Sequence, residues 1–190
     1  MKPRELLDIL TVAERLKDTT RHCYTSKGRH ESVAEHCWMT MLMAFMLKEE
    51  FPEADMDKVM RMCLIHDLGE AFTGDVPSFY KTKADEAQEE KMLQDWVKSL
   101  PGEKSAELGS LYREMDAQQT LEAKIYKTLD NLEAVVQHNF SDISTWLPNE
   151  YELNQTYAQE RVKFSPYFTQ LRKEILKDTL EKIENAKTEG

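Results

Sequence analysis

Helix-breaking residues are scarce in this chain, whose 190 residues include only 6 glycines and 6 prolines. Both residue types interrupt helices, so their scarcity favours a mostly helical protein. The sequence also lacks the alternating polar and apolar pattern of strands, an internal repeat, and a linker long enough to separate two domains. We therefore predict an all-α fold in which residues 1–190 form a single helical bundle.

Paired cysteines and long apolar runs are absent too. Cys23, Cys37 and Cys63 include no CxxC pair, which argues against a zinc ribbon or a redox pair and favours a reducing compartment. The N-terminal stretch MKPRELLDILTVAERL lacks the continuous apolar segment of a signal peptide. No stretch approaches the ~20 apolar residues of a membrane span. We therefore expect a cytoplasmic protein with no membrane partner.

Positive charge is in deficit, and the formal net charge of -10 argues against a nucleic-acid partner. Residues 15–30 are the exception, because they hold five lysines or arginines and one acid. This basic segment could be a solvated loop, or it could receive a small anion such as a phosphate. The segment alone does not decide between the two.

Apolar residues at helical spacing predict eight helices joined by polar loops. Ser32 and Glu35 form a capping box, which places one helix start near residue 33. The motifs described below lie within about 6–140, and we expect the C-terminal helices over 150–186 to pack on that core. The predicted helices span 3–18, 33–50, 55–67, 83–99, 104–115, 118–140, 150–161 and 166–186.

The stretch CLIHDLGEAFTGDVP, residues 63–77, ends an apolar run on His66 and Asp67. One interpretation is a helix end with ordinary polar residues, and the other is half of a metal site. A buried carboxylate without a partner is costly or shifts its pKa, whereas a divalent ion removes that cost and adds a Lewis acid.

Two further residues could complete such a site. His36 lies one turn into the helix capped by Ser32, where a lone histidine is more often a core residue than a ligand. Asp130 lies inside the helical run KIYKTLDNLEAVV and needs either a cation or an intrahelical pair with Lys124 or Lys127.

Taken together, these residues offer two imidazoles and two carboxylates to one divalent ion. Mixed nitrogen and oxygen ligation suits Mn, Co, Mg, Fe, Ni or Zn better than Ca. Four protein ligands leave positions on a six-coordinate ion for water and a substrate oxygen, as a metal-dependent hydrolase requires. The candidate ligands are His36, His66, Asp67 and Asp130.

The stretches RHESVAEHCWMTMLMA and LIHDLGEAFTGDVP, with the distal Asp130, resemble the HD-domain metal-dependent phosphohydrolases, in particular the branch of 5'-deoxynucleotidases. The resemblance covers roughly residues 6–140, and the pairing of HDLGE with TGD-P is much more specific than HD alone. It implies an all-α HD domain and the four metal ligands named above. It further implies that Glu70 is the catalytic acid beside the metal and that Asp75 is the acid of the GD step.

The same resemblance assigns substrate binding to Arg21, which matches a phosphate-side arginine, and to the position after it. There the sequence departs from the branch, since His22 replaces a tryptophan linked to recognition of the deoxyribose. The resemblance also implies a homodimer. From the residues alone, Glu70 beside the flexible Gly69 could activate water or protonate a leaving alkoxide, and Asp75 could form a turn or hold a water network.

We therefore expect a phosphomonoester hydrolase that acts on (deoxy)nucleoside 5'-monophosphates through a metal-activated water. One alternative is a nucleotide-binding or sensing module without turnover. Another is an HD hydrolase of a nucleoside triphosphate or a guanosine alarmone. A competing acidic set, Glu86, Glu89 and Glu90, resembles the magnesium ligands of all-α pyrophosphohydrolases, but a solvated helix face explains it more simply.

Overall fold

The computed structural model describes residues 1–77 and 79–189, and helices make up most of this part of the chain. The prediction of an all-α fold is confirmed, with one small antiparallel sheet added to it. In chain order the helices are α1 (Pro3–Ala13), α2 (Val33–Met46), α3 (Met56–Ile65), α4 (Glu70–Thr73), α5 (Lys83–Ser99), α6 (Lys104–Ala117), α7 (Leu121–Phe140), α8 (Glu150–Thr156) and α9 (Pro166–Glu189).

Helices α2, α3 and α7 pack on one another and form the centre of the fold. Their facing side chains, including Met62, Leu129 and Leu132, are fully buried in one apolar cluster. The predicted capping box is present, because the Ser32 side chain accepts from the backbone of Glu35 while the Glu35 carboxylate accepts from Ser32. This cap sets the start of α2 and therefore the rotational position of every side chain that α2 directs into the core.

The sheet is a hairpin of β1 (Thr20–Tyr24) and β2 (His30–Ser32), in a region for which the sequence predicts only a polar loop. With five and three residues, these strands are too short for an alternating pattern to stand out. Tertiary contact supports them, because β1 packs on α7 and Gln137 donates a hydrogen bond to the Tyr24 carbonyl at 2.6 Å. The hairpin therefore holds β1 side chains beside α7.

The helix predicted over 55–67 ends earlier, at Ile65, so that His66 and Asp67 lie in the turns between α3 and α4. The four-residue helix α4 was not predicted, and it begins at Glu70. Gly74 ends it with φ of 79°, a conformation that glycine adopts without strain. The short helix brings Glu70 back toward the end of α3.

The C-terminal helix α9 packs along α7, and its Phe168 and Ile175 join the central apolar cluster. Arg172 of α9 donates to the backbone carbonyls of Asn154 and Tyr157, which ties α8 to the same layer. Among the described residues, no helix combines the length and apolar character that crossing a bilayer requires.

Candidate metal centre and adjoining cavity

A cavity of about 290 Å³ opens between the hairpin, α7, α8 and the segment that joins α4 to α5. Seven of the eight residues singled out in the sequence line it, and the eighth, His66, contacts three of them. Residues that are up to 109 positions apart in sequence thus converge on one place. The seven are Arg21, His22, His36, Asp67, Glu70, Asp75 and Asp130.

The two histidines of the predicted metal set are each held by one ring nitrogen. His66 Nδ1 donates to the Cys63 carbonyl at 2.8 Å, and His36 Nδ1 donates to Glu133 Oε2 at 2.5 Å. Since a carbonyl and a carboxylate only accept, each Nδ1 carries the hydrogen and each neutral ring presents a lone pair on Nε2. The two Nε2 atoms face each other at 3.1 Å.

Two carboxylates approach the same point. Asp130 Oδ1 lies 3.0 Å from His36 Nε2 and 3.5 Å from His66 Nε2. Asp67 Oδ2 lies 3.6 Å and 3.2 Å from the same two nitrogens. Asp130 also makes the intrahelical pair that was its alternative explanation, because its other oxygen is 2.7 Å from Lys127 Nζ. The two interpretations of Asp130 are therefore compatible.

This donor set fits a divalent cation. In their neutral forms the two imidazoles, with the two carboxylates, direct four electron pairs at one point. Three of the residues, His36, His66 and Asp67, form a group that could hold an ion. Neighbouring ligands bonded to an ion at about 2.1 Å lie roughly 3.0–3.4 Å from one another. The nitrogen–nitrogen and nitrogen–oxygen distances here, 3.0 to 3.6 Å, match that spacing.

The pKa values of the predicted ligands also indicate that this site attracts positive charge. Burial opposes ionisation of Asp130, yet Lys127 and the two imidazoles hold its pKa well below the usual range. Burial and Arg21 oppose protonation of His36, yet Glu133 and Asp130 raise its pKa to about 9. A cation bound here must displace that proton, so its affinity should rise with pH toward 9.

Arg21 lies beside the metal set rather than in it. Its Nε is 3.6 Å from Glu31 and its Nη1 is 3.5 Å from Glu133, and both carboxylates are buried. Glu31, Glu133 and His36 form a second group with metal-like spacing, but the guanidinium already supplies the positive charge there. Glu133 thus connects Arg21 to His36, because the same oxygen contacts both side chains.

Glu70 and Asp75 lie on the cavity wall near Asp67. Burial, together with the charges of Asp67 and Asp75, raises the pKa of Glu70 to about 10, so this carboxyl keeps its proton at neutral pH. Its Oε2 is buried and makes no hydrogen bond within the described part of the chain. Burial also raises the pKa of Asp75, although Arg21 opposes the shift.

The sequence analysis missed several residues that line this site or hold it in place. Glu133 and Glu31 carry no motif, although Glu133 follows the argument used for Asp130, since it is an acid inside a buried helical run. Lys81 lies at the cavity and pairs with Glu89 at 2.7 Å. That pair gives Glu89 of the competing acidic set a structural partner. The cavity residues that were missed also include His138, Asn131 and Asn154.

We predict that Glu133→Gln weakens divalent-metal binding by about ten- to a hundredfold. The glutamine amide oxygen can still accept from His36 Nδ1 but carries no negative charge, and such outer partners set the orientation and basicity of a ligating imidazole. Calorimetric titration with Mn²⁺ measures the change. Glu107→Gln, on the surface of α6, is the control and should leave the affinity as it is. Equal affinities in both variants would contradict the role of Glu133.

Known proteins and one protein family resemble this chain over most of its length. The model of the HD domain family matches residues 13–172. The chain is 29% identical over 178 residues to 5'-deoxynucleotidase HDDC2 of Bos taurus, which covers 90% of this chain and 84% of that protein. It is 30% identical over 138 residues to 5'-deoxynucleotidase HDDC2 of Homo sapiens, which covers 70% and 67%.

A solved structure described as a predicted metal-dependent phosphohydrolase from Magnetospirillum magnetotacticum MS-1 has the same fold. Its TM-score is 0.79 at 24% sequence identity, and the match covers 94% of this chain and 95% of that one. The family match spans the hairpin, the metal set and the first two turns of α9. This chain belongs to the HD domain family.

Proposed function

We propose that this chain is a metal-dependent phosphomonoester hydrolase that removes phosphate from (deoxy)nucleoside 5'-monophosphates. The observation that carries the proposal is the convergence of two imidazole nitrogens and two carboxylate oxygens at the edge of a cavity that also contains an arginine. The relatives named as 5'-deoxynucleotidases support the choice of substrate.

One divalent ion would be held by His36, His66, Asp67 and Asp130. When bound, it supplies a Lewis acid for the phosphoryl group and an activated water. Nitrogen and oxygen donors in equal number are compatible with Mn, Co, Mg, Fe, Ni or Zn, and they do not select one of these metals.

Three cationic side chains surround the position of a phosphate beside the metal set. Arg21 presents a guanidinium, whose planar fork suits phosphate oxygens. Lys81 and Lys127 line the same cavity and add positive charge. The Arg21 guanidinium lies between the carboxylates of Glu31 and Glu133. These two ion pairs fix its position before substrate binds.

Glu70 and Asp75 would divide the proton transfers. Hydrolysis adds water to phosphorus and breaks the bond to the 5'-oxygen, which must gain a proton as it leaves. Glu70 holds a proton at neutral pH and can donate it to that oxygen. Asp75, on the same wall, can accept the proton released by the attacking water. The products are a nucleoside and inorganic phosphate.

The size of the cavity favours a monophosphate over the larger alternatives. Its volume of about 290 Å³ lies just below the roughly 300–1,000 Å³ typical of small-molecule sites. A nucleoside triphosphate or a guanosine alarmone needs more room. A sensing module without turnover would not require a protonated Glu70 beside the metal set.

We predict that Asp67→Asn lowers kcat/KM for nucleoside monophosphates by roughly a hundredfold or more, because loss of an ion ligand costs more than loss of an outer partner. Phosphate release from mono-, di- and triphosphates and an alarmone, with Mn²⁺, Co²⁺ or Mg²⁺, measures both activity and substrate class. Asp57→Asn, exposed on α3, is the matched control. Full activity in Asp67→Asn would refute the assigned site, and tight binding without turnover would favour a sensor.

We predict an alkaline limb in the pH profile of kcat that belongs to Glu70. An acid catalyst works in its protonated form, so the rate should fall as pH rises through its pKa. That value lies near 10 without metal and lower when a cation is bound. Glu70→Gln should lower kcat by about 10²- to 10⁴-fold and remove the limb. Glu90→Gln, on α5, should keep it, and an unchanged limb in Glu70→Gln would assign the proton to another group.

We further propose that residues 1–190 form one domain that acts in the cytoplasm as a homodimer. Its three buried free cysteines suit a reducing compartment. Four large apolar side chains along one face of α2 are between 37% and 69% exposed. A helix face of this kind can pair with its own copy about a two-fold axis. The four are Trp38, Leu42, Phe45 and Met46.

We predict that Phe45→Asp converts the dimer to a monomer, because a carboxylate at the centre of this face would be desolvated against its symmetry mate. Light scattering coupled to size-exclusion chromatography gives the mass directly. Phe140→Asp, an exposed phenylalanine at the end of α7, is the control and should stay dimeric. A monomeric parent protein would exclude the homodimer.

A further inference from the structure

A second cluster of ionisable side chains lies on the cavity wall and has no role in the mechanism proposed above. His22 comes from β1, His138 from α7 and Glu150 from α8. The Nε2 atoms of His22 and His138 lie 2.8 Å and 3.5 Å from the same oxygen, Glu150 Oε1. The other oxygen of Glu150 accepts from the backbone of Leu147 at 2.6 Å, and the carboxylate is almost completely buried.

The spacing of this cluster would also admit a metal ion, but its hydrogen-bonding pattern does not favour one. In the first cluster each Nδ1 donates to a fixed acceptor, which leaves both Nε2 lone pairs free for a cation. Here His22 Nε2 donates to Glu150, and His22 Nδ1 is buried with no partner in the described part of the chain. A ligating histidine almost always has an outer partner on its second nitrogen.

Burial also keeps His138 neutral. It lowers the pKa of His138 to about 4, although Glu150 acts in the opposite direction. At neutral pH the cluster therefore contains an uncharged His138 beside an ionised Glu150, whose pKa is lowered by His22 and the Leu147 backbone against the effect of burial. Such a cluster is suited to hydrogen bonds with an uncharged polar group.

The cluster and the metal set line the same cavity at different positions along α7. His138 follows Asp130 by eight residues on α7, which corresponds to about 12 Å along the helix axis. The cavity wall between them is formed by Asn131, Ala134 and Val135. A nucleotide whose phosphate lies beside Asp130 extends its sugar and base along this wall, toward His22 and His138.

Two polar groups in this part of the wall have no hydrogen-bond partner within the described residues, namely His22 Nδ1 and Asn154 Nδ2. Asn154 is only 2% exposed, lines the cavity, and follows Glu150 by one turn of α8. In the tautomer whose Nε2 donates to Glu150, His22 Nδ1 accepts, while the Asn154 amide donates. A hydroxyl group both donates and accepts, so it complements this pair.

We propose that His22, Glu150, His138 and Asn154 form a subsite for a sugar hydroxyl, and that the chain therefore hydrolyses ribonucleoside 5'-monophosphates in preference to their 2'-deoxy counterparts. This inference rests on the proposed function. Leaving buried polar groups unpaired is costly, and a site that hydrogen-bonds a substrate hydroxyl discriminates against the analogue that lacks it. The relatives reported above are named for the deoxy substrates, so this chain would differ from them.

The test compares kcat/KM for pairs of monophosphates that differ only at the 2' position, such as AMP and dAMP, in the presence of Mn²⁺. We expect the ribo-to-deoxy ratio of the parent protein to exceed about ten, and His22→Phe to lower it at least tenfold. Asn154→Leu, which keeps the branched shape and the number of heavy atoms and removes the amide, should lower the ratio in the same direction. It also serves if His22→Phe does not fold.

His30→Phe is the matched control. It places the same substitution on β2 of the same hairpin, at an exposed residue outside this cavity. Its ratio should equal that of the parent protein. A parent ratio below one, or the same ratio in the parent and both cavity variants, would overturn the proposal.

Two further measurements distinguish the sugar subsite from a second metal site and from a failure of the proposed function. The metal content of His22→Phe should equal that of the parent protein, and loss of one of two bound ions would identify a second metal site instead. If the parent hydrolyses neither AMP nor dAMP, the proposed function fails by itself. Calorimetric binding of the two nucleotides then gives the same ribo-to-deoxy comparison, and equal affinities would refute the subsite.

Discussion

The convergence of four electron-pair donors on one point is the constraint on which the rest of the site depends. Lone pairs at 3.0 to 3.6 Å repel one another unless a positive charge lies among them. Hydrogen bonds and an ion pair hold three of them there. His66 donates to the Cys63 carbonyl, His36 donates to Glu133, and Asp130 pairs with Lys127 one turn earlier on α7. Three of the four donors are thus fixed by a group that is not itself a ligand.

The hairpin supplies a buried acid of this otherwise helical fold with a cationic partner. Glu133 is fully buried on α7 and needs more than one partner, and β1 supplies the second by bringing Arg21 within 3.5 Å of it. Arg21 in turn contacts Glu31, which directly precedes Ser32, the cap of α2. Positive and negative groups therefore alternate from the metal set through Glu133 to the hairpin. This contact couples the position of Arg21, which we propose binds phosphate, to that of His36, which we propose binds the metal.

The sequence predicts those features that are encoded locally. Helix positions follow from apolar spacing, and His66 and Asp67 stand out because polar residues end an apolar run. The hairpin could not be predicted, since its strands have five and three residues and are supported by contact with α7. Glu133 shares with Asp130 the position of an acid in a buried helical run, but its partners could not be predicted, because only the folded chain brings a histidine to one of its oxygens.

The two histidine clusters show why residue types alone do not identify a metal site. Both place two imidazoles and at least one carboxylate within ligand distance of one another. They differ in the partner of Nδ1: with His36 and His66 that nitrogen donates to a fixed acceptor, whereas with His22 it has no partner in the described chain. The first arrangement directs lone pairs at a common point, and the second places a hydrogen there. The position of one proton, set by neighbours outside each cluster, therefore separates the proposed ion site from the proposed hydroxyl site.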